Sequence, residues 1–197
     1  MILAWDTETT GLPLYSSPSM HPNQPHIVQL ALVQHNDAGE EIEAESIIVR
    51  PNGWVISPQV AAIHGITHER AMDEGVSERV AVIAYVMAQA QATHRVAHNL
   101  PFDDRIMRIA MLRFGVQKDL IETIERRAGF DTCRAAAPIV NLPPTEKMRA
   151  AGFKNPKSPK LGECFKHFFG EELAGAHDAL VDARACARIY FKLKGVS

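Results

Sequence analysis

The stretch ILAWDTETTGLP, residues 2 to 13, carries the first apolar run of the chain directly into two carboxylates. The run from Ile2 to Trp5 predicts a buried strand. Side chains alternate along a strand, so Asp6 and Glu8 would share one face while Thr7 points to the other. Two neighbouring carboxylates repel each other unless a cation lies between them, and oxygen ligands suit Mg²⁺ or Mn²⁺. The alternative for these residues taken alone is a strand that ends in two solvated acids.

The composition is that of an ordinary globular domain. The chain has 197 residues, of which 46% are hydrophobic and 22% are charged, and its net charge is −2. We therefore expect a single domain over residues 1–197. No apolar run is long enough to span a membrane and no basic segment precedes the first one, so we expect no membrane partner and a cytoplasmic location. The odd number of cysteines, without CxxC spacing, predicts reduced thiols: Cys133, Cys164 and Cys186.

The first half of the chain is typical of strands. Residues 1–8 and 26–36 suit two strands, joined by an irregular proline-rich loop, and 37–39 supply a turn. The segment EEIEAESIIVR, residues 40–50, alternates polar and apolar residues and predicts a half-buried return strand. An antiparallel hairpin follows from this order.

The second half alternates helices with short strands. Helices are predicted from Ser57 to Gly65 and from Ser77 to about Ala92. One helix begins after Asn99, another amphipathic segment runs up to Gly129, and two final helices cover about 160–169 and 178–194. Short strands are predicted at 95–97 and 130–132, and a basic, proline-rich loop or flap at about 141–160. This order predicts an α/β domain with a mixed sheet, in which the antiparallel hairpin is joined by parallel strands and covered by helices. Ligands of such sheets usually bind at strand ends, where Asp6 and Glu8 lie.

Two later segments add acids in similar positions. In VAHNLPFDDRIM, residues 96–107, Asp103 follows a short strand and lies in the first turn of a helix, where it would also stabilise the helix start. In GAHDALVDA, residues 175–183, His177 precedes a helix and Asp182 lies among small apolar residues. An acid in such surroundings is seldom merely solvated.

Together these segments resemble a known family. DTETTGLP, HNLPFD and HDALVD are similar, in order and spacing, to the Exo I, Exo II and Exo III motifs of DnaQ-like 3′→5′ exonucleases, in the subgroup with a histidine five residues before the last aspartate. AAIHGIT, residues 61–67, resembles a further family segment, and the likeness spans residues 1 to about 192. The resemblance implies a ribonuclease H-like fold with a five-stranded mixed sheet.

The resemblance also implies a catalytic set and a cofactor. Asp6, Glu8 and Asp182 would hold one divalent cation, Asp6 and Asp103 would hold a second, and His177 would be the general base. Both cations would be Mg²⁺ or Mn²⁺. The implied reaction is hydrolysis of the terminal phosphodiester, which releases a nucleoside 5′-monophosphate.

Substrate-binding residues are implied in the same way. Backbone amides of Thr9, Thr10 and Gly11 would hold the terminal nucleotide and Leu12 would pack on its base, although Gly11 to Pro13 also suits a simple turn. His64 matches a family histidine that contacts substrate, and Gln59 stands five residues earlier, where relatives often carry an acid. Asn99 would orient the Exo II loop on the substrate side, and Phe102 would contact the nucleotide. An N-cap role explains Asn99 equally well, and a core position is favoured for Phe102.

Several functions fit the resemblance. DNA with a single-stranded or frayed 3′ end is the preferred partner, because the basic flap is similar to that of stand-alone DNA-trimming relatives. The alternatives are an RNA exonuclease similar to ribonuclease T or oligoribonuclease, a proofreading subunit of a polymerase, and a non-catalytic nucleic-acid-binding module. The last would be expected to have lost one of the five catalytic positions. QLALV, residues 29–33, resembles a sliding-clamp peptide, but its place in a strand favours the core, so a polymerase or clamp partner is not indicated.

Overall fold

A computed structural model of the chain describes residues 1–196. One mixed sheet has the strand order β3-β2-β1-β4-β5. β1, β2 and β3 pair antiparallel, while β4 pairs parallel to β1 and β5 parallel to β4. The strands are β1 (Ile2–Thr9), β2 (Ile27–His35), β3 (Glu41–Ile48), β4 (His94–Ala97) and β5 (Gly129–Asp131). This arrangement confirms the predicted α/β class and its mixed, five-stranded, ribonuclease H-like sheet.

Helices cover both faces of the sheet. They are α1 (Pro58–His64), α2 (His68–Glu74), α3 (Glu78–Gln91), α4 (Leu100–Arg113), α5 (Lys118–Glu125), α6 (Thr132–Val140), α7 (Glu146–Ala150), α8 (Leu161–Phe169) and α9 (Ala179–Lys194). The largest core cluster joins Leu3 and Trp5 of β1 to α3, α4 and α5. Ala4, on the opposite face, belongs to a cluster with α9. None of the helices within residues 1–196 is long and apolar enough to cross a membrane.

Small side chains bring α9 close to the sheet. Ala31 and Val33 of β2 pack with Ala179 and Ala183 of α9, and all four are fully buried. Residues four apart lie on the same face of a helix, so these alanines form one stripe that permits close approach. Asp182 therefore reaches the strand that carries Asp6.

Three helices differ from the sequence-based expectation: α2, α6 and α7, the last of which lies in the segment 141–160 that was predicted as a loop or flap. α2 was not predicted, although Thr67 caps it by accepting a hydrogen bond from the Arg70 amide at 3.1 Å. α6 was also missed, and its first residue, Thr132, was assigned to the fifth strand. The Asp131 carboxylate accepts hydrogen bonds from the next backbone amides and starts this helix directly at the strand end.

The prediction that residues 40–50 form a half-buried strand is wrong for most of β3. Residues 41–46 are exposed on both faces, and only Ile47 is buried. β3 is the edge of the sheet, and α9 meets its first residue through a polar contact, the ion pair of Arg184 with Glu41 at 2.7 Å, instead of burying an apolar face. By contrast, QLALV lies in β2 and is fully buried, which confirms its core role.

Candidate active site

Strand β1 presents Asp6 and Glu8 at the end of the sheet. Their cross-strand neighbours on β2 are Ala31 and Gln29. The small side chain of Ala31 leaves room beside Asp6 on the face that α9 covers. The pairing shifts register between Glu8 and Thr9, so the ladder ends just after the two acids.

Asp103 is held by a residue between these two acids. It lies in the first turn of α4 with 2% of its surface exposed. Its Oδ1 accepts hydrogen bonds from the Thr7 hydroxyl at 2.7 Å and the Thr7 amide at 3.1 Å. Both bonds go to one oxygen, so Thr7 orients the carboxylate and leaves Oδ2 for another partner.

The start of α9 fixes His177 and Asp182. Asp178 caps the helix by accepting hydrogen bonds from the Leu180 and Val181 amides. His177 has a positive φ of 69°, a conformation that is costly for a residue with a side chain. Its amide donates to Asp182 Oδ2 at 3.1 Å, so the strained turn and the carboxylate hold each other.

Gln29 anchors this helix start to the sheet. Its Oε1 accepts a hydrogen bond from the Ala179 amide at 3.0 Å, and its Nε2 donates to Asp178 Oδ2 at 3.3 Å. Because Gln29 lies opposite Glu8, one buried amide links β1 and β2 to the helix that carries Asp182.

The structure brings three of the predicted residues within ligand distance of one another. One potential metal-ligand atom from each of Glu8, His177 and Asp182 lies within 4.8 Å of the other two. Asp182 Oδ1 is buried and has no hydrogen-bond partner among residues 1–196. An unpartnered carboxylate oxygen beside a second carboxylate suits a hard divalent cation, so the residues present fit the predicted cofactor.

The buried acids of the site have raised pKa values. Burial first, and then the charges of Asp103, Asp182 and Glu8, raises the pKa of Asp6 well above its usual value. Burial and the neighbouring acids raise the pKa of Glu8 to about 8. Burial raises the pKa of Asp103 to about 8 against the opposing effect of the Thr7 donors. Burial also raises the pKa of Asp182. Bound cations would offset this repulsion and hold the carboxylates ionised.

The segment after β1 is tied down by backbone contacts. The Thr10 amide donates to the His26 carbonyl and the His26 amide to Thr10 Oγ1, both at 3.0 Å. The predicted ligand contact through the Thr10 amide is therefore not available in this structure. Thr9 Oγ1 donates to the Gly11 carbonyl at 2.8 Å, and Leu12 is 76% exposed.

The other predicted substrate residues lie at different depths. His64 is buried at the end of α1, where burial and the nearby His177 lower its pKa, so it lies beside one of the residues predicted to be catalytic. Gln59 is exposed on the same helix. Asn99 takes the N-cap position of α4 with φ of 70°, but its side chain makes no capping hydrogen bond. Phe102 packs at the margin of the largest core cluster.

Four supporting residues were missed by the sequence analysis. They are Thr7, Gln24, Gln29 and Asp178. Buried Gln24 bonds to the backbone at Leu14, Ser17 and Pro18 and so holds the proline-rich loop. Asp178 had a local signal, because an acid directly before a helix is a common cap. Gln29 and Thr7 had none, since their partners are distant in the chain.

The family and the fold can be compared with known proteins. The family model described as exonuclease (RNase_T) matches residues 3–190. No curated protein matches the chain. The fold is similar to that of E. coli exonuclease I in complex with a dA16 oligonucleotide, with a TM-score of 0.74 and 22% identity over 100% of this chain and 41% of that chain.

Two further structures show the same fold. The zinc-bound form of the E. coli ExoI–ssDNA complex has a TM-score of 0.69 and 21% identity, covering 98% of this chain and 40% of that chain. A moderately thermophilic exonuclease I from Methylocaldum szegediense has a TM-score of 0.70 and 19% identity over the same shares. The chain thus spans about two fifths of the length of these proteins. By its match over residues 3–190, the chain belongs to the RNase_T exonuclease family, of the DnaQ-like group in the ribonuclease H-like superfamily.

Proposed function

We propose that this protein is a metal-dependent 3′→5′ exonuclease that removes nucleotides from the 3′ end of single-stranded DNA. The observation that carries the proposal is the meeting of Glu8, His177 and Asp182 at the end of β1, beside the mutually perturbed Asp6 and Asp103. Membership in the exonuclease family supports a nuclease activity. The exonuclease I structures with single-stranded oligonucleotides support the substrate class.

The side chains divide into two roles. Asp6, Glu8, Asp103 and Asp182 would hold two divalent cations, Mg²⁺ or Mn²⁺. When bound, such cations supply an activated water at neutral pH and stabilise the departing 3′ oxygen. His177 is exposed at the rim of the cluster and would take the proton from the attacking water. Asp182 supports it by fixing the backbone of its strained turn.

Substrate contacts follow from the surroundings of the acids. Leu12 stands exposed on the tied-down loop after β1 and would pack on the terminal base. His64, beside His177, would contact the terminal nucleotide. Thr9, Gly11, Gln59, Asn99 and Phe102 complete the proposed substrate-binding set, of which Phe102 contributes mainly to the core.

The direct experiment measures release of mononucleotides. Matched single-stranded DNA, blunt duplex DNA and RNA, labelled at the 5′ or the 3′ end, are incubated with Mg²⁺, Mn²⁺ or EDTA. We expect stepwise shortening of 5′-labelled single-stranded DNA, immediate release of the 3′ label, and no reaction in EDTA. If no substrate is cut with either metal, the proposed function is wrong. If RNA is cut faster than DNA of the same sequence, the substrate is RNA and not DNA.

His177→Ala is expected to lower kcat by about 10²–10⁴-fold, the usual contribution of a general base. Mn²⁺ affinity, measured by calorimetry, is expected to change much less, because four carboxylates remain. His167→Ala is the matched control, since that histidine is exposed on α8 and packs against Phe168. Unchanged kcat in the His177 variant would remove this residue from the mechanism.

Thr7→Val is expected to raise the metal concentration needed for activity and to lower kcat by about 10–100-fold, as for other residues that orient a metal ligand. The change keeps the shape of the side chain and removes the hydroxyl that donates to Asp103 Oδ1. Thr7→Ser keeps the donor and serves as the control. A Val variant with the metal dependence and kcat of the Ser variant would show that the hydroxyl does not position Asp103.

A further inference from the structure

An exposed aromatic side chain lies on the basic flap, residues 141–160. Phe153 is 59% exposed, and within residues 1–196 only Tyr15 is a more exposed aromatic residue, at 67%. Tyr15 lies on the loop between β1 and β2, which contains no lysine or arginine. Phe153 instead lies within six residues of Lys147, Arg149 and Lys154 in the chain, so its surroundings in the sequence are the more informative.

The backbone explains the position of Phe153 but not its exposure. Gly152, two residues beyond the end of α7, has a φ of 83°. The Gly152 amide donates to the Arg149 carbonyl at 3.0 Å and the Phe153 amide to the Met148 carbonyl at 2.9 Å. This pair of bonds is the Schellman helix ending, which commonly sets a hydrophobic residue against the helix. The motif thus fixes the backbone of Phe153, yet most of its ring remains in solvent.

The flap sequence around Phe153 is positively charged. Lys147, Arg149 and Lys154 are exposed, while Glu146 is the only acid of the flap sequence. Proteins that bind single-stranded DNA combine such cations, which follow the phosphates, with aromatic faces on which bases stack. An aromatic ring among exposed cations has both parts.

The flap is joined to the catalytic groove. The carbonyl of Pro159 accepts hydrogen bonds from His98 Nε2 at 3.1 Å and from the Cys133 thiol at 3.4 Å. The next residue, Lys160, lines a groove of about 420 Å³ whose wall also includes His177 and Asp182. The groove thus runs from the catalytic residues to the last residue of the flap.

We propose that Phe153 stacks on an unpaired base of the single-stranded DNA, upstream of the 3′ end that is cut. The proposal rests on the proposed exonuclease function and adds a binding subsite to it. Bases in a duplex are already stacked, so the subsite selects single strands. A substrate too short to reach the flap gains nothing from it.

The experiment compares Phe153→Ala and Phe153→Trp with the wild type. We expect Phe153→Ala to lower kcat/KM about fivefold or more on a dT oligonucleotide of about 20 residues, the size of effect that stacking of one base has. Hydrolysis of the p-nitrophenyl ester of thymidine 5′-monophosphate and of blunt duplex DNA is expected to stay unchanged. Phe153→Trp keeps an aromatic face and is expected to retain activity on the oligonucleotide. Phe114→Ala, at the end of α4, is the control for loss of an exposed phenylalanine.

Binding is measured separately from catalysis. In Ca²⁺, the added tryptophan of Phe153→Trp is expected to be quenched by the dT oligonucleotide beyond the quenching of wild-type Trp5 and Trp54. Equal kcat/KM of Phe153→Ala and wild type on the oligonucleotide would overturn the subsite and leave the exonuclease function standing. Equal loss on the nitrophenyl ester or on duplex DNA would also overturn it. A wild type that cuts nothing would instead refute the exonuclease function.

Discussion

Asp6→Asn is expected to abolish nucleotide release and, at the same time, to stabilise the metal-free protein. Asp6 belongs to both proposed cation sites, so its loss should lower kcat/KM by about 10³-fold or more. The stability effect has the opposite sign, because burial and four acidic neighbours oppose ionisation of Asp6. Asparagine has nearly the same shape and removes one negative charge from the cluster. The gain should be largest above about pH 8, where Glu8 and Asp103 are also ionised.

The measurement combines kinetics with thermal unfolding in EDTA and in Mn²⁺. Asp104→Asn is a sharp control, since Asp104 lies beside Asp103 but forms an ion pair at 2.6 Å with Arg95, which is buried. Breaking that pair should lower Tm, because it leaves a buried charge without its partner. A destabilised Asp6→Asn protein in EDTA would contradict the repulsive cluster, and an active one would contradict the assignment of the site.

Stability of the metal-free protein is expected to fall as pH rises from about 4 to about 8. Burial and acidic neighbours raise the pKa of Glu8 from 4.5 to about 8, and burial raises that of Asp103 from 3.8 to about 8. In this range the folded chain retains protons that the unfolded chain has lost, so the free energy of unfolding decreases with pH. A loss of about 1 kcal/mol would lower Tm by about 2–4 °C in a chain of this length.

Metal should remove this pH dependence. Bound cations favour the ionised carboxylates, so saturating Mn²⁺ is expected to flatten the profile, and binding should release protons. Tm is measured across the range in EDTA and in Mn²⁺, and proton release by calorimetry in buffers with different heats of ionisation. Glu8→Gln should give a shallower decline in EDTA. A flat profile for wild type in EDTA, or no proton release, would show that the acids are already ionised without metal.

Much of the fold was predictable because its signals are local. Apolar runs predicted β1 and β2, and the change to helical spacing predicted α3 and α4. The burial of β3 was predicted wrongly. Alternation of polar and apolar residues is typical of a strand with one covered face, whereas β3 lies at the sheet edge with most of its residues exposed. α6 was missed because it starts directly at a strand end and contains Pro138, which argues against a helix.

By itself the sequence determined the alternation of side chains along the first strand, which puts Asp6 and Glu8 on one face. It also determined the presence of acids at the starts of two later helices. Only the tertiary structure decided how these acids meet. Thr7 and Asp103 are 96 residues apart in the chain and bond because α4 packs at the end of β1. Gln29 reaches the start of α9 across 150 residues. Local propensity depends on neighbours in sequence, but the orientation of a buried carboxylate depends on donors that packing brings to it from elsewhere in the chain.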